Sequence, residues 1–167
     1  METNVLGTLH VLHQLMSIIR TQKARIVMTG APDIPLPQYA MKSACNGALL
    51  AFTRALRTDL RGLGVFISLI QPAGTRGGMV IKGPELIRKT REDMPASLRQ
   101  VYPPGFRMLR NMTKYFGFDP VWAIWAFEHA IASPRPKTRY TATPLGTVMY
   151  FVSFLVPDRL MDMLLFK

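Results

Sequence analysis

The chain has 167 residues, 49% of them hydrophobic and 19% charged, which is enough apolar side chain for a buried core and too much for a disordered tail. Thirteen prolines and 12 glycines follow no period, excluding collagen-like and low-complexity chains, and the single Cys45 excludes a disulfide framework or a multi-cysteine zinc site. The net charge is +11, and nine of the basic residues fall between Arg76 and Lys114 against three acids. Such a patch is either a solvated basic face, a contact with a membrane surface, or a nucleic-acid interface. No zinc finger, recognition-helix signature or aromatic-interleaved basic strand accompanies it, so nucleic acid is not the expected partner. No charged-then-apolar leader opens the sequence.

Leu9, Leu12, Leu15, Met16 and Ile19 are spaced on one side of a helix over Thr8 to Arg20. After a polar break, Arg25-Ile26-Val27-Met28-Thr29 reads as a short buried strand that ends at Gly30. Three prolines make the next eight residues, APDIPLPQ, a loop. A long helix is predicted from about Tyr39 to Arg61, closed by Gly62 and Gly64, and Val65 to Ile70 forms a second apolar strand stopped by Gln71-Pro72. Two apolar strands joined by such a helix make a βαβ unit with parallel strands and helices on both faces.

Between Ala73 and Pro104 the pattern weakens to loops and short basic helices. Asp119 as N-cap and Pro120 as first helical residue open another helix, through Trp122, Trp125, Phe127 and Ile131, which Pro134 stops. Tyr140 to Pro157 then carries no charge over 18 residues. Pro144, Gly146 and several hydroxyls interrupt it, so the tail is expected to lie on a membrane or dock to protein rather than span a bilayer. An amphipathic end, LMDMLLF, follows Asp158-Arg159.

The order helix, RIVMT, proline-rich loop, YAMK, helix, VFISLI, QPAG resembles the second half of a short-chain dehydrogenase/reductase. PRPKTRYT at Pro134 to Thr141 is similar to the tail of that family's retinol, hydroxysteroid and hydroxybutyrate dehydrogenase branch. The resemblance covers roughly Asn4 to Gly78 and Asp119 to Pro157. It implies a partial Rossmann-like, doubly wound parallel sheet of the α/β class that lacks its N-terminal half, followed by a helical apolar tail. The corresponding division is 1–80 for the half-domain, 81–133 for a basic helical substrate lid, and 134–167 for the tail.

The chemistry implied is proton transfer coupled to hydride transfer. A tyrosine is a poor base at neutral pH, and an ammonium one helical turn away favours its phenolate. By resemblance Tyr39 is the proton donor, Lys42 its partner and Asn4 the asparagine that holds a water chain, with Thr29 as the available strand-end hydroxyl. Lys42, Pro72, Gly74 and Thr75 are the expected contacts of an NAD or NADP cofactor, which supplies the hydride. The sequence departs from the family pattern in several places. Lys42 lies three residues after Tyr39 where the family spaces them four apart, although both positions are neighbours on a helix surface. The family's strand-end serine falls on Gly30, its Pro-Gly on Pro72-Ala73, and its cofactor-contacting threonine on Gly77. Strand alternation turns Thr29 elsewhere.

No glycine-rich dinucleotide turn stands after a strand and before a helix. The chain begins where the family's fourth helix would stand. It is therefore expected to be a fragment, or to need a partner along an apolar strand edge. The leading expectation is an oxidoreductase acting on lipophilic alcohols or ketones of the retinoid or steroid class, associated with endoplasmic reticulum or mitochondrial membranes and possible as a homo- or hetero-oligomer. The alternative is a catalytically inactive remnant that associates with membranes or with a full-length relative.

The remaining features read more plainly. His10 and His13 at i, i+3 lack a third ligand, so no metal site is expected. His129 and Cys45 read as structural. Trp122 and Trp125 read as core or lid packing, and Asn111-Met112-Thr113 matches a glycosylation sequon.

Overall fold

Residues 1–32, 39–101 and 117–165 are described by the structure, a computed structural model. The first helix starts earlier than the apolar spacing predicts, because a π-helical turn over Glu2–Leu6 runs straight into α1 (Gly7–Thr21). The Thr8 hydroxyl ties the junction by donating to the Asn4 carbonyl at 3.1 Å. A tight reversal with Lys23 at φ 50° then enters β1 (Arg25–Thr29). Gly64 (φ +74°) leans on this reversal. A Cβ there would stand 3.0 Å from Cδ of the flexible Lys23 side chain, so it is chiefly the left-handed backbone that calls for glycine.

Helix α2 (Ala40–Asp59) follows β1 and leads into β2 (Phe66–Ile70). The two strands pair in parallel, from Arg25 opposite Phe66 to Thr29 opposite Ile70. A two-residue strand, β3 (Arg139–Tyr140), adds in parallel to the other side of β2, giving the order β1-β2-β3. Among the described residues β1 is an edge strand. The chain is thus an α/β protein built on a parallel sheet, as its strand-helix-strand pattern predicts.

Alternation along the strands divides the core in two. Ile26 and Met28 of β1 and Ile67 and Leu69 of β2 point to one face and bury against Leu12 and Ile19 of α1 and Leu56 of α2. Val27 and Ile70 point to the other face, which α5 (Val121–Ala132) covers with Ala126, Ala130 and Phe127. The tryptophans of α5 are a correction to the expected core packing: Trp122 and Trp125 are 49% and 51% exposed, whereas Ala126 and Ala130 are fully buried. Every face of this helix is apolar, and the small side chains win the inner side because they let its backbone approach the sheet. Asp119 does cap α5, its carboxylate accepting from the Val121 N–H at 2.9 Å. The helix itself begins one residue later than predicted, leaving Pro120 in the half-in position.

Two further stretches differ from their sequence patterns. Gly78–Asp93 forms a 16-residue helix, α3, and Ala96–Val101 a short α4, where loops and short helices are predicted. Local contacts account for part of α3: an exposed Arg88–Glu92 ion pair at 2.7 Å and a Thr90 hydroxyl on the Leu86 carbonyl. The charge-free tail is also not one element. Tyr140 is buried in the sheet, and Thr143 caps α6 (Pro144–Leu155) by accepting from the Gly146 N–H. Val156 and Pro157 then separate α6 from α7 (Asp158–Leu165). Among the described residues no helix is long and apolar enough to cross a membrane. The sequon, most of the proline-rich loop, and Arg107, Arg110 and Lys114 of the basic stretch lie outside the described residues.

Candidate active site

Parallel strands deliver their following loops to one edge of a sheet, and in open α/β sheets ligands bind there. The ends of β1 and β2 bring the backbone at Gly30–Ala31, the entrance of α2, and the segment Gln71–Thr75 to this edge. Tyr39 is the N-cap residue of α2, half-buried, and Lys42 sits in the first turn. The Lys42 ammonium lies over the Tyr39 ring, 5.1 Å from its centroid. The three-residue spacing therefore still brings the cation onto the phenol. Asn4 is exposed on the π-helical turn that packs against α2. Thr29 is exposed and shares the sheet face of Val27, the face that α5 covers, so the structure does not turn it toward α2.

The segment after β2 is shaped by backbone. Pro72 is half-buried and Gly74 takes φ +60°, reversing the chain into an extended Thr75 that bridges in parallel to Phe118. The Phe118 N–H donates to the Gly74 carbonyl at 2.8 Å, and the Arg76 N–H to the Phe118 carbonyl at 2.7 Å. Thr75 Oγ1 is buried yet has no hydrogen-bond partner among the described residues. A buried hydroxyl without a partner costs free energy on the order of 1–3 kcal/mol, so it marks a place where a polar ligand atom would be welcome.

A hydrogen-bonded frame that the linear pattern does not reveal holds this edge. The Ala31 N–H donates to Asn46 Oδ1 on α2 at 3.1 Å, and Gln71 Nε2 donates to the Ala31 carbonyl at 2.7 Å. The one residue Ala31, just after β1, is thus fastened on both sides through its N–H and its carbonyl. Gln71 is 1% exposed, and its Oε1 accepts from Arg139 Nε of β3. The Arg139 guanidinium in turn stacks on Tyr150 of α6, 4.3 Å from the ring centroid. Thr143 Oγ1 donates to the Ala73 carbonyl at 3.1 Å. The only sequence signal for Gln71 is a polar residue closing an apolar strand before a proline.

Space around Gly30 bears on the missing serine. A Cβ built there meets Leu69 Cδ1 at 3.7 Å and Asn46 Oδ1 at 3.8 Å, ordinary contacts that leave room for a side chain on the α2 side of the sheet. A Cβ at Gly77 likewise meets only the Thr75 carbonyl, at 3.9 Å. At both positions a Cβ makes no close contact among the described residues. His10 and His13 are exposed on α1, and among the described residues no group of three potential ligands could hold a metal. Cys45 is buried in α2.

No protein-family model matches the chain. Its similarity to curated proteins is nevertheless extensive. The chain is 30% identical over 145 residues to the uncharacterized oxidoreductase YbbO of Escherichia coli K12, covering 86% of this chain and 48% of that protein. It is 22% identical over 180 residues to mouse retinol dehydrogenase 7, covering 99% of this chain and 55% of the other. Human 11-beta-hydroxysteroid dehydrogenase type 2 is 24% identical over 171 residues, covering 96% and 42%. The chain spans about half the length of the curated relatives it matches.

Proposed function

We propose, since the chain is a relative of the short-chain dehydrogenases/reductases, that it carries the proton-transfer half of an oxidoreductase site for lipophilic alcohols and ketones of the retinoid or steroid class, used with NAD or NADP. The observation that carries this reading is the Lys42 ammonium over the Tyr39 ring at the entrance of α2. Tyr39 gives its proton to the substrate carbonyl, and the neighbouring cation stabilises the negative charge that develops on the phenol oxygen. The buried Thr75 hydroxyl, without a partner among the described residues, fits a carboxamide or phosphate oxygen of a nicotinamide dinucleotide, with the Gly74 reversal and Pro72 shaping the wall beside it. When bound, that cofactor supplies the hydride. The names of the relatives motivate the substrate class, since retinol and 11-beta-hydroxysteroids are lipophilic.

The test is deuteride transfer from 4-deuterated NADH or NADPH to retinal or a ketosteroid, read by mass spectrometry, with Tyr39→Phe alongside. Incorporation that Tyr39→Phe reduces by about 10² or more supports proton donation by this phenol. A wild-type chain that transfers no deuterium sinks the catalytic reading. A second reading, a catalytically silent chain that docks to a full-length relative, draws on two observations: β1 is an edge strand among the described residues, and Gly30 supplies no hydroxyl. It predicts no transfer, together with pull-down of such a relative.

A further inference from the structure

We propose that the side-chain amide of Asn46 holds the substrate carbonyl oxygen, as a second hydrogen-bond donor beside the Tyr39 phenol. This rests on the oxidoreductase reading above and adds a residue to it. A carbonyl oxygen gains negative charge as it is reduced, and fixed donors directed at it stabilise that charge. One phenol supplies a single donor. A second would come most simply from the strand end, but neither Gly30 nor Ala31 carries a hydroxyl, and Thr29 shares the sheet face that α5 covers.

Asn46 stands in that place. Tyr39, Lys42 and Asn46 follow one another at i, i+3 and i+7, on one face of α2. Asn46 is half-buried, and its Oδ1 accepts the Ala31 N–H at 3.1 Å, so this face meets the end of β1 there. The same oxygen lies 3.8 Å from the position a Cβ would take on Gly30, and no Gly30 side chain stands between the amide and the strand end. An amide bonded through its oxygen has its orientation fixed, which leaves the two Nδ2 hydrogens as donors. Nδ2 has no hydrogen-bond partner among the described residues. Gln71 Nε2 holds the Ala31 carbonyl at 2.7 Å, so the residue that orients the amide is itself fixed. A donor set in advance needs no reorganisation when charge develops. The amide is neutral and gives up no proton, so Tyr39 remains the acid. In reduction a hydride from the nicotinamide joins the carbonyl carbon, the π pair moves to the oxygen, and the Tyr39 proton follows it; the Nδ2 hydrogens stay on Asn46.

The experiment compares wild type with Asn46→Asp, which keeps an oxygen for the Ala31 N–H and removes the donor. Deuteride transfer to saturating retinal should fall by about 10² or more while the melting curve is unchanged. Gly30→Ser, which offers a hydroxyl beside the amide, should recover a larger factor in Asn46→Asp than it adds to wild type. Wild-type rates in Asn46→Asp overturn the proposal, as does an equal gain from Gly30→Ser in both backgrounds. A second measurement needs neither turnover nor the aspartate variant: isotope-edited infrared of bound retinal carrying 13C at its aldehyde carbon. The carbonyl stretch should be lowered relative to hydrocarbon solvent and should stay lowered in Tyr39→Phe, where Asn46 is the remaining donor. A stretch that returns to its solvent value in Tyr39→Phe overturns the assignment to Asn46. Absence of deuteride transfer in wild type defeats the oxidoreductase reading alone; the infrared result then decides Asn46 by itself.

Discussion

The backbone N–H of Ala31 donates to the side chain of Asn46, which lies one helical turn beyond Lys42 on α2. With Gln71 holding the carbonyl of the same residue, the end of β1 is locked against both the helix that opens at Tyr39 and the strand beside it. The two bonds fix the chain at Ala31 as it leaves the sheet. They also make that geometry depend on three residues far apart in sequence.

Removing either fastener should therefore destabilise the fold. Asn46→Ala leaves one half-buried N–H unpaired and should cost about 1–2 kcal/mol. Gln71→Leu removes, from a fully buried side chain, the donor to the Ala31 carbonyl and one acceptor of the Arg139 guanidinium, and should cost about 2–4 kcal/mol. Urea denaturation followed by circular dichroism measures both. A loss below a few tenths of a kcal/mol for Gln71→Leu would show that water or another group satisfies these atoms.

Gly30 sits where the family has a serine, in a position with room for a side chain. Gly30→Ser places a hydroxyl on the α2 side of the sheet, beside Asn46, where it can orient a substrate oxygen. The expected outcome is an increase in ketone reduction of about tenfold or more with a stability change under 1 kcal/mol, read by initial rates and by denaturation. A stable variant with unchanged rates would mean that the substrate oxygen does not approach Gly30.

Tyr140 joins the third strand to α5. Its hydroxyl accepts the Lys137 N–H at 2.8 Å and shares a hydrogen bond of 2.8 Å with His129 Nδ1. Tyr140→Phe preserves the buried ring and should cost about 1–2 kcal/mol. A double-mutant cycle with His129→Leu should show coupling of about 0.5–1.5 kcal/mol. Additive losses would indicate that the two side chains are energetically independent despite their proximity.

Two short, nearly continuous apolar runs, Arg25–Thr29 and Val65–Ile70, joined by a helix-length stretch, made the parallel β1-α2-β2 unit legible from sequence. What escaped depends on distant partners. β3 is only Arg139 and Tyr140, too short to carry a period, and exists because β2 offers it a ladder. The inner face of α5 could not be chosen from a helix apolar on all sides, where two alanines rather than two tryptophans meet the sheet. α3 lacks an apolar stripe and contains Gly83 and Pro84, which argue against a helix that nonetheless forms. At the site, Tyr39 and Lys42 were legible because they are neighbours in sequence. Asn46 and Gln71 were not, because their bonds to Ala31 span 15 and 40 residues.

The most direct test of the account is a titration of the chain with NADH and NADPH by fluorescence anisotropy, comparing wild type with Thr75→Val. The valine removes a buried hydroxyl that has no hydrogen-bond partner among the described residues, so thermal stability should be unchanged or higher while affinity for at least one cofactor falls about tenfold. No saturable binding at millimolar cofactor, or equal affinity in the two proteins, would contradict the assignment of this sheet edge to a nicotinamide dinucleotide.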